Sequence, residues 1–399
     1  MEFELNKRFP YMGAVPFHSS DAKFFRGRDY ETRRIVDEIF ANRIFWLYAP
    51  SGAGKTSLLN AGVIPLLEKE GFEVLRPARV AGVLPCGLNA QEITNVYVFN
   101  SIRSWIESDV DLSQLSQKTL RDYLKERVHP LDEIGQPVLR AVIFDQLEEL
   151  FSVSQEYWQH RAGFFQQIHE ALQEDHLLRV IFGLREDFLG SMDSYSAFLT
   201  DKPQTRFRLE LMREKDGLAA LTEPLKETGR SFDVGVAEKL VEELLKIQVQ
   251  TPDGEIKYVT GEFIEPVHLQ VVCHRLWQTL PLGKKLITME DLKALAGVNQ
   301  TLSTFYDQTV GEVAVETGVN ENLIREWFGR NLITPAGTRG AVLGGAVETG
   351  GLSNFVVERL VNRHLIRSEF RGGNRWYELA HDGFIQPIVQ SNQRYSGKF

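Results

Sequence analysis

Cysteine is scarce in this sequence, and long apolar runs are missing. Only Cys86 and Cys273 occur among 399 residues, too few for a disulfide framework or a cysteine metal cluster, which predicts a reducing compartment. No stretch approaches the ~20 apolar residues that cross a bilayer. The opening residues MEFELNKRFPY lack the layout of a signal peptide. These absences predict a cytoplasmic protein with no membrane partner.

An excess of positive charge is also missing. The formal net charge of −9 at pH 7 argues against a whole surface that binds nucleic acid. Residues 320–399 depart from this trend, with 10 Lys/Arg and 7 Asp/Glu. A hydrophobic content of 43% and a charged content of 25% are typical of globular proteins, and the length predicts two or three domains.

The clearest motif lies in residues 43–60, RIFWLYAPSGAGKTSLLN. An apolar strand runs into a glycine loop and then into a helix that begins with Lys–Thr, which is the pattern of a P-loop. In that geometry backbone N–H groups and Lys55 hold phosphates, and the Thr56 hydroxyl binds Mg²⁺. Ala49 replaces the usual first glycine. We expect Lys55 to be an exposed loop charge without nucleotide. The predicted nucleotide-binding residues here are Pro50, Ser51, Gly52, Ala53, Gly54, Lys55, Thr56 and Ser57.

A second motif follows about ninety residues later, in VLRAVIFDQLEELF at 138–151. Its apolar run predicts a central parallel strand, and Asp145 follows directly at the edge where such sheets place ligand chemistry. This is the arrangement of a Walker B acid that holds Mg²⁺. Glu148 and Glu149 are both candidates for the base that orients the attacking water. The alternative for Glu149 is that it is only a solvated helix residue.

A third apolar run, in HLLRVIFGLREDFLGSM at 176–192, ends at Arg185. At the tip of a strand beside the Walker B strand, this arginine would sense a γ-phosphate. The alternative is a surface salt bridge between Arg185 and Glu186. From about Asp216 the pattern becomes helical. Residues 320–395 then read as two helices around a Gly-rich loop (337–351), followed by two strands joined at RGGN (371–374), which is a winged-helix layout.

In this order, the motifs resemble the STAND class of signalling ATPases, and in particular the novel STAND NTPase domain. The resemblance implies an α/β P-loop NTPase sheet of the AAA+/STAND type, followed by an all-helical lid and a winged helix. The corresponding domains are 1–215, 216–318 and 319–399. The strings that carry it are YMGAVPF (11–17), FFRGRD (24–29), APSGAGKTS (49–57), FDQLEELF (144–151), GLREDFLG (183–190), EPVHLQVVCHRLW (265–277) and YELAHDGFI (377–385).

The resemblance also implies roles for individual residues. Phe25, Gly27 and Arg28 match the segment against adenine and ribose, and Pro224 matches the lid proline, in a poorly kept motif. His381 matches the winged-helix histidine on the β-phosphate of ADP. Asp145 and Arg185 match the Walker B acid and the sensor arginine. Gln146 stands where many AAA+ ATPases have a catalytic glutamate, so slow hydrolysis is expected.

The function implied is a switch between ADP-bound and ATP-bound states, with ATP or ADP and Mg²⁺ as cofactors. Exchange of ADP for ATP would open the chain for self-assembly or for protein partners in signalling or bacterial defence, with the effector or sensor supplied elsewhere. An alternative is an AAA+-type ATPase that uses the arginines of its winged helix on DNA. We favour the switch, because no base-reading pattern is visible. A third hypothesis is a scaffold that holds nucleotide without hydrolysing it.

Overall fold

Apolar runs in the first half of the chain form a parallel sheet in the computed structural model. The structure describes residues 9–82, 84–85, 88–106, 115–152, 157–199, 205–250, 256–295, 297–335, 337, 339–371, 374–380 and 382–396. It divides into a sheet unit (Asp29–Pro50 and Lys55–Glu210) and a helical unit (Met1–Arg28, Ser51–Gly54 and Leu211–Phe399).

The sheet unit is built on a parallel sheet whose central strands are buried on both faces. Within its described residues the strands are β1 (Ile44–Ala49), β2 (Glu73–Val74), β3 (Arg140–Phe144), β4 (Leu178–Arg185) and β5 (Thr205–Arg208). Their order is β2-β3-β4-β1-β5, and every pairing is parallel. The P-loop strand β1 is therefore separated from β3 by β4. The ends of β1, β3 and β4 meet at one edge of the sheet, where ligands bind in such folds.

Helices precede and connect the strands of the sheet unit within its described residues. They are α1 (Asp29–Ala41), α2 (Lys55–Leu58), α3 (Ile64–Lys69), α4 (Val96–Ser104), α5 (Leu120–Glu126), α6 (Glu149–Ser152), α7 (His160–Glu174) and α8 (Leu189–Ser196). A π-helical turn, Leu59–Val63, joins α2 to α3. The Asn95 side chain caps α4 by accepting from the N–H groups of Tyr97 and Val98, which explains why the helix begins there.

The helical unit begins its main run with α9 (Glu214–Lys226), α10 (Val236–Leu244), α11 (Pro266–Thr279) and α12 (Met289–Ala294). Strands β6 (Ser231–Phe232) and β9 (Leu286–Ile287) pair in parallel. A hairpin of β7 (Lys246–Gln250) and β8 (Ile256–Thr260) interrupts the helices that the sequence predicts. In KIQVQ apolar and polar residues alternate with the period of a strand, and IKYVT is rich in the β-branched and aromatic residues that favour strands.

The last part of the helical unit combines helices with a small antiparallel sheet. The helices are α13 (Gly297–Thr317), α14 (Glu321–Trp327), α15 (Asn354–Asn362) and α16 (Ile385–Ser396). Strand β14 (Asn374–Leu379) pairs with β10 (Ala341–Leu343) on one side and with β13 (Ile366–Arg371) on the other. A short ladder joins β11 (Glu348–Thr349) to β12 (Leu352–Ser353). Buried side chains of these elements, including Trp327, Phe328 and Val357, form one hydrophobic core.

Two local predictions differ from the structure. The segment EVLRPARV (73–80) predicts a second strand of the sheet. In the structure this strand is β2 with only two paired residues, followed by an isolated bridge from Ala78 to Phe144. Pro77 has no N–H to donate to the ladder, which explains the break between them. The Gly-rich segment 337–351, predicted as a loop, contains β10 and β11. The predicted hairpin turn at Gly372 and Gly373 lies outside the described residues.

Candidate functional site

The P-loop connects β1 to α2. Gly52 and Gly54 have φ values of 80° and 91°, a left-handed conformation that favours glycine and turns backbone N–H groups into the loop. Ala49, which replaces the usual first glycine, is the last residue of β1 and pairs with Arg185 of β4. Because Ala49 is extended strand, it needs no glycine conformation. The loop retains glycine at the two positions that require it.

Thr56 and Asp145 lie side by side at the edge of the sheet. The Thr56 hydroxyl donates to Asp145 Oδ2 over 2.8 Å, and the Gln146 N–H donates to Asp145 Oδ1 over 2.9 Å. Asp145 is buried, and its Oδ1 lies 3.0 Å from where a Cβ on Gly183 would be. Glycine at 183 therefore makes room for the carboxylate between β3 and β4.

A hydroxyl and a carboxylate in contact are a donor set that fits Mg²⁺. This ion takes oxygen ligands, and proteins usually hold it through one or two carboxylates together with substrate phosphates and water. Among the described residues no group of three or more His, Cys, Asp or Glu could hold a metal ion. A P-loop site does not need such a group, because phosphates supply the remaining oxygens.

Lys55 is buried rather than exposed, which corrects the expectation from the sequence. Only 9% of its surface is accessible. Burial lowers the pKa of Lys55, while the carboxylates of Glu148 and Asp145 oppose that effect. The lysine is thus within electrostatic range of the carboxylates of the site. Its position as the first residue of α2 is what directs it there.

The two adjacent glutamates have different surroundings. Gln146 has a φ of 55°, and the Leu147 N–H donates to the Gly183 carbonyl over 2.9 Å, so the chain turns sharply after β3. This turn brings Glu148 back to the site, where its Oε2 accepts from the Arg185 N–H over 3.2 Å. Burial raises the pKa of Glu148, and the charges of Lys55 and Arg185 act against that rise.

Glu149 is engaged by a different segment, the residues after β2. It forms an ion pair with Arg79, whose Nε lies 3.2 Å from Glu149 Oε2, and it accepts from the Ala81 N–H. Burial raises the pKa of Glu149 despite the bond from Arg79. Sequence reasoning missed Arg79. A polar residue just after a strand of a parallel sheet was the available signal.

Arg185 is held by Asp187 and not by Glu186. Its Nε and Nη2 donate to the two carboxylate oxygens of Asp187 over 3.0 and 2.8 Å. Glu186 instead accepts from Arg208 over 2.9 Å. Both Arg185 and Asp187 are close enough to Lys55 to influence its pKa. Asp187 is therefore a second residue of the site that sequence reasoning missed.

The remaining predicted residues belong to the helical unit. Arg28 is buried, and its Nη2 donates to the carbonyl of Ala53, at the tip of the P-loop, over 3.4 Å. Gly27 lies tightly against α9, since a Cβ on it would be 2.3 Å from the Asp216 carbonyl oxygen. Phe25 packs edge-on against Phe17 at 5.4 Å between ring centres.

Pro224 and His381 are also predicted to bind nucleotide. Pro224 lies inside α9 and is buried there. His381 lies outside the described residues. The predicted roles of Phe25, Gly27, Arg28, Pro224 and His381 in nucleotide binding stay predictions.

Comparison with family models gives a decisive match. Residues 10–387 match the family described as Novel STAND NTPase 1. The chain belongs to this family. It is therefore a P-loop NTPase of the STAND type, and nucleotide binding follows from that membership. The parallel sheet with its P-loop agrees with this assignment.

Solved structures similar to this STAND NTPase include two proteins at low sequence identity. A Walker-type ATPase of Pyrococcus abyssi is 14% identical with a TM-score of 0.48, over 96% of this chain and 99% of that one. The Aeropyrum pernix ORC2 protein in ADPNP–ADP complexes is 14% identical with a TM-score of 0.46, over 98% of each chain. TM-scores below 0.5 support no statement about function. Comparison with curated proteins gave no significant match. No helix in the described part of the chain is long and apolar enough to cross a membrane.

Proposed function

We propose that this chain is an ATP- and ADP-dependent switch that hydrolyses ATP slowly and controls assembly in signalling or defence. The observation that carries the proposal is the convergence of Lys55, Thr56, Asp145, Glu148 and Arg185 at the ends of three neighbouring strands. Thr56 and Asp145 are in direct contact, and Lys55 is buried among the carboxylates. This is the equipment that phosphoryl transfer requires.

Each residue has a separate task in the proposed site. The P-loop N–H groups and Lys55 bind the β- and γ-phosphates, and the burial of Lys55 strengthens its attraction for them. Thr56 and Asp145 would hold Mg²⁺, which when bound neutralises charge on the phosphates. Arg185 lies beside them and would contact the γ-phosphate after release from Asp187.

Glu148 is the proposed base of the slow hydrolysis. In this step water attacks the γ-phosphorus, the bond to the β,γ-bridging oxygen breaks, and ADP leaves while the water proton passes to the Glu148 carboxylate. Burial that raises the pKa of Glu148 brings it closer to the working pH, which favours a general base. Glu149 is less suited, since Arg79 and the Ala81 N–H occupy its oxygens.

Switching requires that ADP and ATP contact the chain differently. We propose that residues 216–318 act as a lid and residues 319–399 as a winged helix, with His381 on the β-phosphate of ADP in a closed state. ATP would favour an open state that assembles with itself or with protein partners. The contact of Arg28 with the Ala53 carbonyl supports a link between the segment before α1 and the P-loop tip.

A role for the proposed winged helix on DNA is not favoured. Arginine occurs at every fourth position from 359 to 375. Four of these five arginines are ion-paired: Arg359 with Glu316 (3.1 Å), Arg363 with Glu316 (3.0 Å), Arg367 with Glu378 (2.6 Å) and Arg375 with Glu358 (2.6 Å). The side chain of Arg371 lies outside the described set. Because phosphate binding depends on uncompensated positive charge, these pairs weaken the basic surface that the composition suggests.

The proposed function is tested by measuring assembly and nucleotide affinity together. Light scattering after size-exclusion chromatography, with ADP or with a non-hydrolysable ATP analogue, should give different masses or hydrodynamic radii. Lys55→Ala should weaken binding of both nucleotides by at least tenfold and remove the difference in assembly. Lys69→Ala, which changes an exposed lysine at the end of α3, is the matched control. Identical profiles with both nucleotides, or unchanged affinity in Lys55→Ala, would refute the proposal.

A further inference from the structure

Arg79 occupies the edge of the sheet beside the Walker B acid. The bridge from Ala78 to Phe144 aligns the two chains, and the Asp145 N–H donates to the Ala78 carbonyl over 3.1 Å. Arg79 directly follows Ala78, so its backbone is next to that of Asp145. Its backbone N–H donates to the Ser104 hydroxyl over 3.1 Å, which holds this part of the main chain against α4.

The Arg79 side chain is held but not enclosed. Its guanidinium donates to both carboxylate oxygens of Glu149, yet 47% of the side chain remains accessible, against 14% for Glu149. Ion pairs between exposed side chains contribute little to stability, usually below about 1 kcal/mol, and the guanidinium end of this pair is exposed. Such a pair can exchange its partner at small cost.

The charges around Arg79 are those of the nucleotide site. Burial lowers the pKa of Arg79, but the bond and attraction to Glu149, with further attraction from Asp145 and Glu148, outweigh burial and raise the pKa. Asp145 and Glu148 are also the carboxylates that act on Lys55. Arg79 and Lys55 are therefore both within electrostatic range of the same two carboxylates.

We propose that Arg79 binds the γ-phosphate of ATP, exchanging Glu149 for the phosphate oxygens, and thereby makes the site prefer ATP over ADP. The inference rests on the proposed function, since it takes the P-loop as the nucleotide site. A guanidinium matches phosphate geometry with two parallel hydrogen bonds, and a terminal phosphate carries more charge than one carboxylate. ADP offers no such group, so with ADP bound Arg79 stays on Glu149.

In this proposal Glu149 binds Arg79 whenever the site contains no γ-phosphate. It binds the guanidinium and the Ala81 N–H at once, so it holds the residues after β2 in one conformation. Removing its charge should release Arg79 for the phosphate while a neutral amide at 149 keeps the shape of the side chain. The proposal therefore predicts opposite effects for changes at 79 and 149.

The test is a titration of ADP and of a non-hydrolysable ATP analogue into the full chain. Arg79→Ala should lower affinity for the ATP analogue about tenfold and leave ADP affinity within about twofold. Glu149→Gln should raise affinity for the ATP analogue severalfold with ADP unchanged. Arg79→Ala/Glu149→Gln should behave like Arg79→Ala. Arg121→Ala, at an exposed ion pair of the same unit, is the matched control and should change neither affinity.

A purely structural role for Arg79 predicts a different pattern. Arg79→Ala would then leave the Glu149 carboxylate buried without its partner, and affinity for ADP and for the ATP analogue would fall equally. Adding Glu149→Gln would remove the buried charge and restore both affinities. Either equal losses or repair by the second change overturns the proposal. Lys55→Ala, measured alongside, separates this failure from that of the proposed function: if Lys55→Ala leaves ADP affinity unchanged, the P-loop assignment itself is wrong.

Discussion

Gly27 offers the sharpest test of the segment that precedes α1. Its φ of +80° is left-handed, and a Cβ built on it would be 2.3 Å from the Asp216 carbonyl oxygen and 3.1 Å from the Ala220 N. Gly235, in the same unit, has nearly the same φ of +79° but no atom within 4 Å of a built Cβ. Both Gly27→Ala and Gly235→Ala place alanine in a left-handed backbone conformation. Only the Gly27→Ala methyl group would also collide with the backbone of α9.

The expected destabilisation can be worked out from these contacts. A left-handed conformation costs an L-residue about 1–2 kcal/mol, which applies to both variants. Only Gly27→Ala adds a collision with the backbone of α9, and overpacking of this kind costs about 1–3 kcal/mol. The free energy of unfolding should thus fall by about 2–5 kcal/mol for Gly27→Ala and by about 1–2 kcal/mol for Gly235→Ala.

Denaturant unfolding followed by fluorescence measures the difference, and ADP titration measures its functional consequence. Moving residue 27 away from α9 should also displace Arg28 from the Ala53 carbonyl. ADP affinity should therefore fall in Gly27→Ala and stay unchanged in Gly235→Ala. Equal losses of unfolding free energy in the two variants would show that Gly27 does not lie tightly against α9.

Two further predictions concern buried charges of the sheet unit. Burial raises the pKa of Glu148 above its ordinary value, so the folded chain binds an extra proton and loses stability as pH rises from about 4.5 through the raised pKa. Glu148→Gln has no carboxyl group to ionise at this position, so the Tm of the variant minus that of wild type should increase with pH. A Tm difference that stays constant with pH would contradict the raised pKa of Glu148. Arg140 is 1% exposed and bonds to Glu73 and to two carbonyls, so Arg140→Met should cost about 3–5 kcal/mol in denaturant unfolding. Arg206→Ala, at an exposed pair with Asp193, should cost less than about 1 kcal/mol, and similar costs for both would refute the buried network.

Some features of this protein were determined by the sequence alone, because they depend on local chain geometry. A strand, a glycine loop and a helix beginning with Lys55 and Thr56 make a P-loop whatever surrounds them. An apolar strand that ends in Asp145 places that carboxylate at the edge of a parallel sheet. The family resemblance rested on the strings around these two motifs and on five further strings, and the family match over residues 10–387 confirmed it.

Tertiary structure decided how the other charged residues divide among roles. The sequence presented Glu148 and Glu149 as equals, but the turn at Gln146 sends one toward Lys55 and the other toward Arg79. The partner of Arg185 was likewise Asp187 rather than its neighbour Glu186. Strand order and side-chain direction bring Arg79, about seventy positions away, against Glu149. Spacing along a chain carries no record of such contacts, since they arise only when separate strands are packed edge to edge.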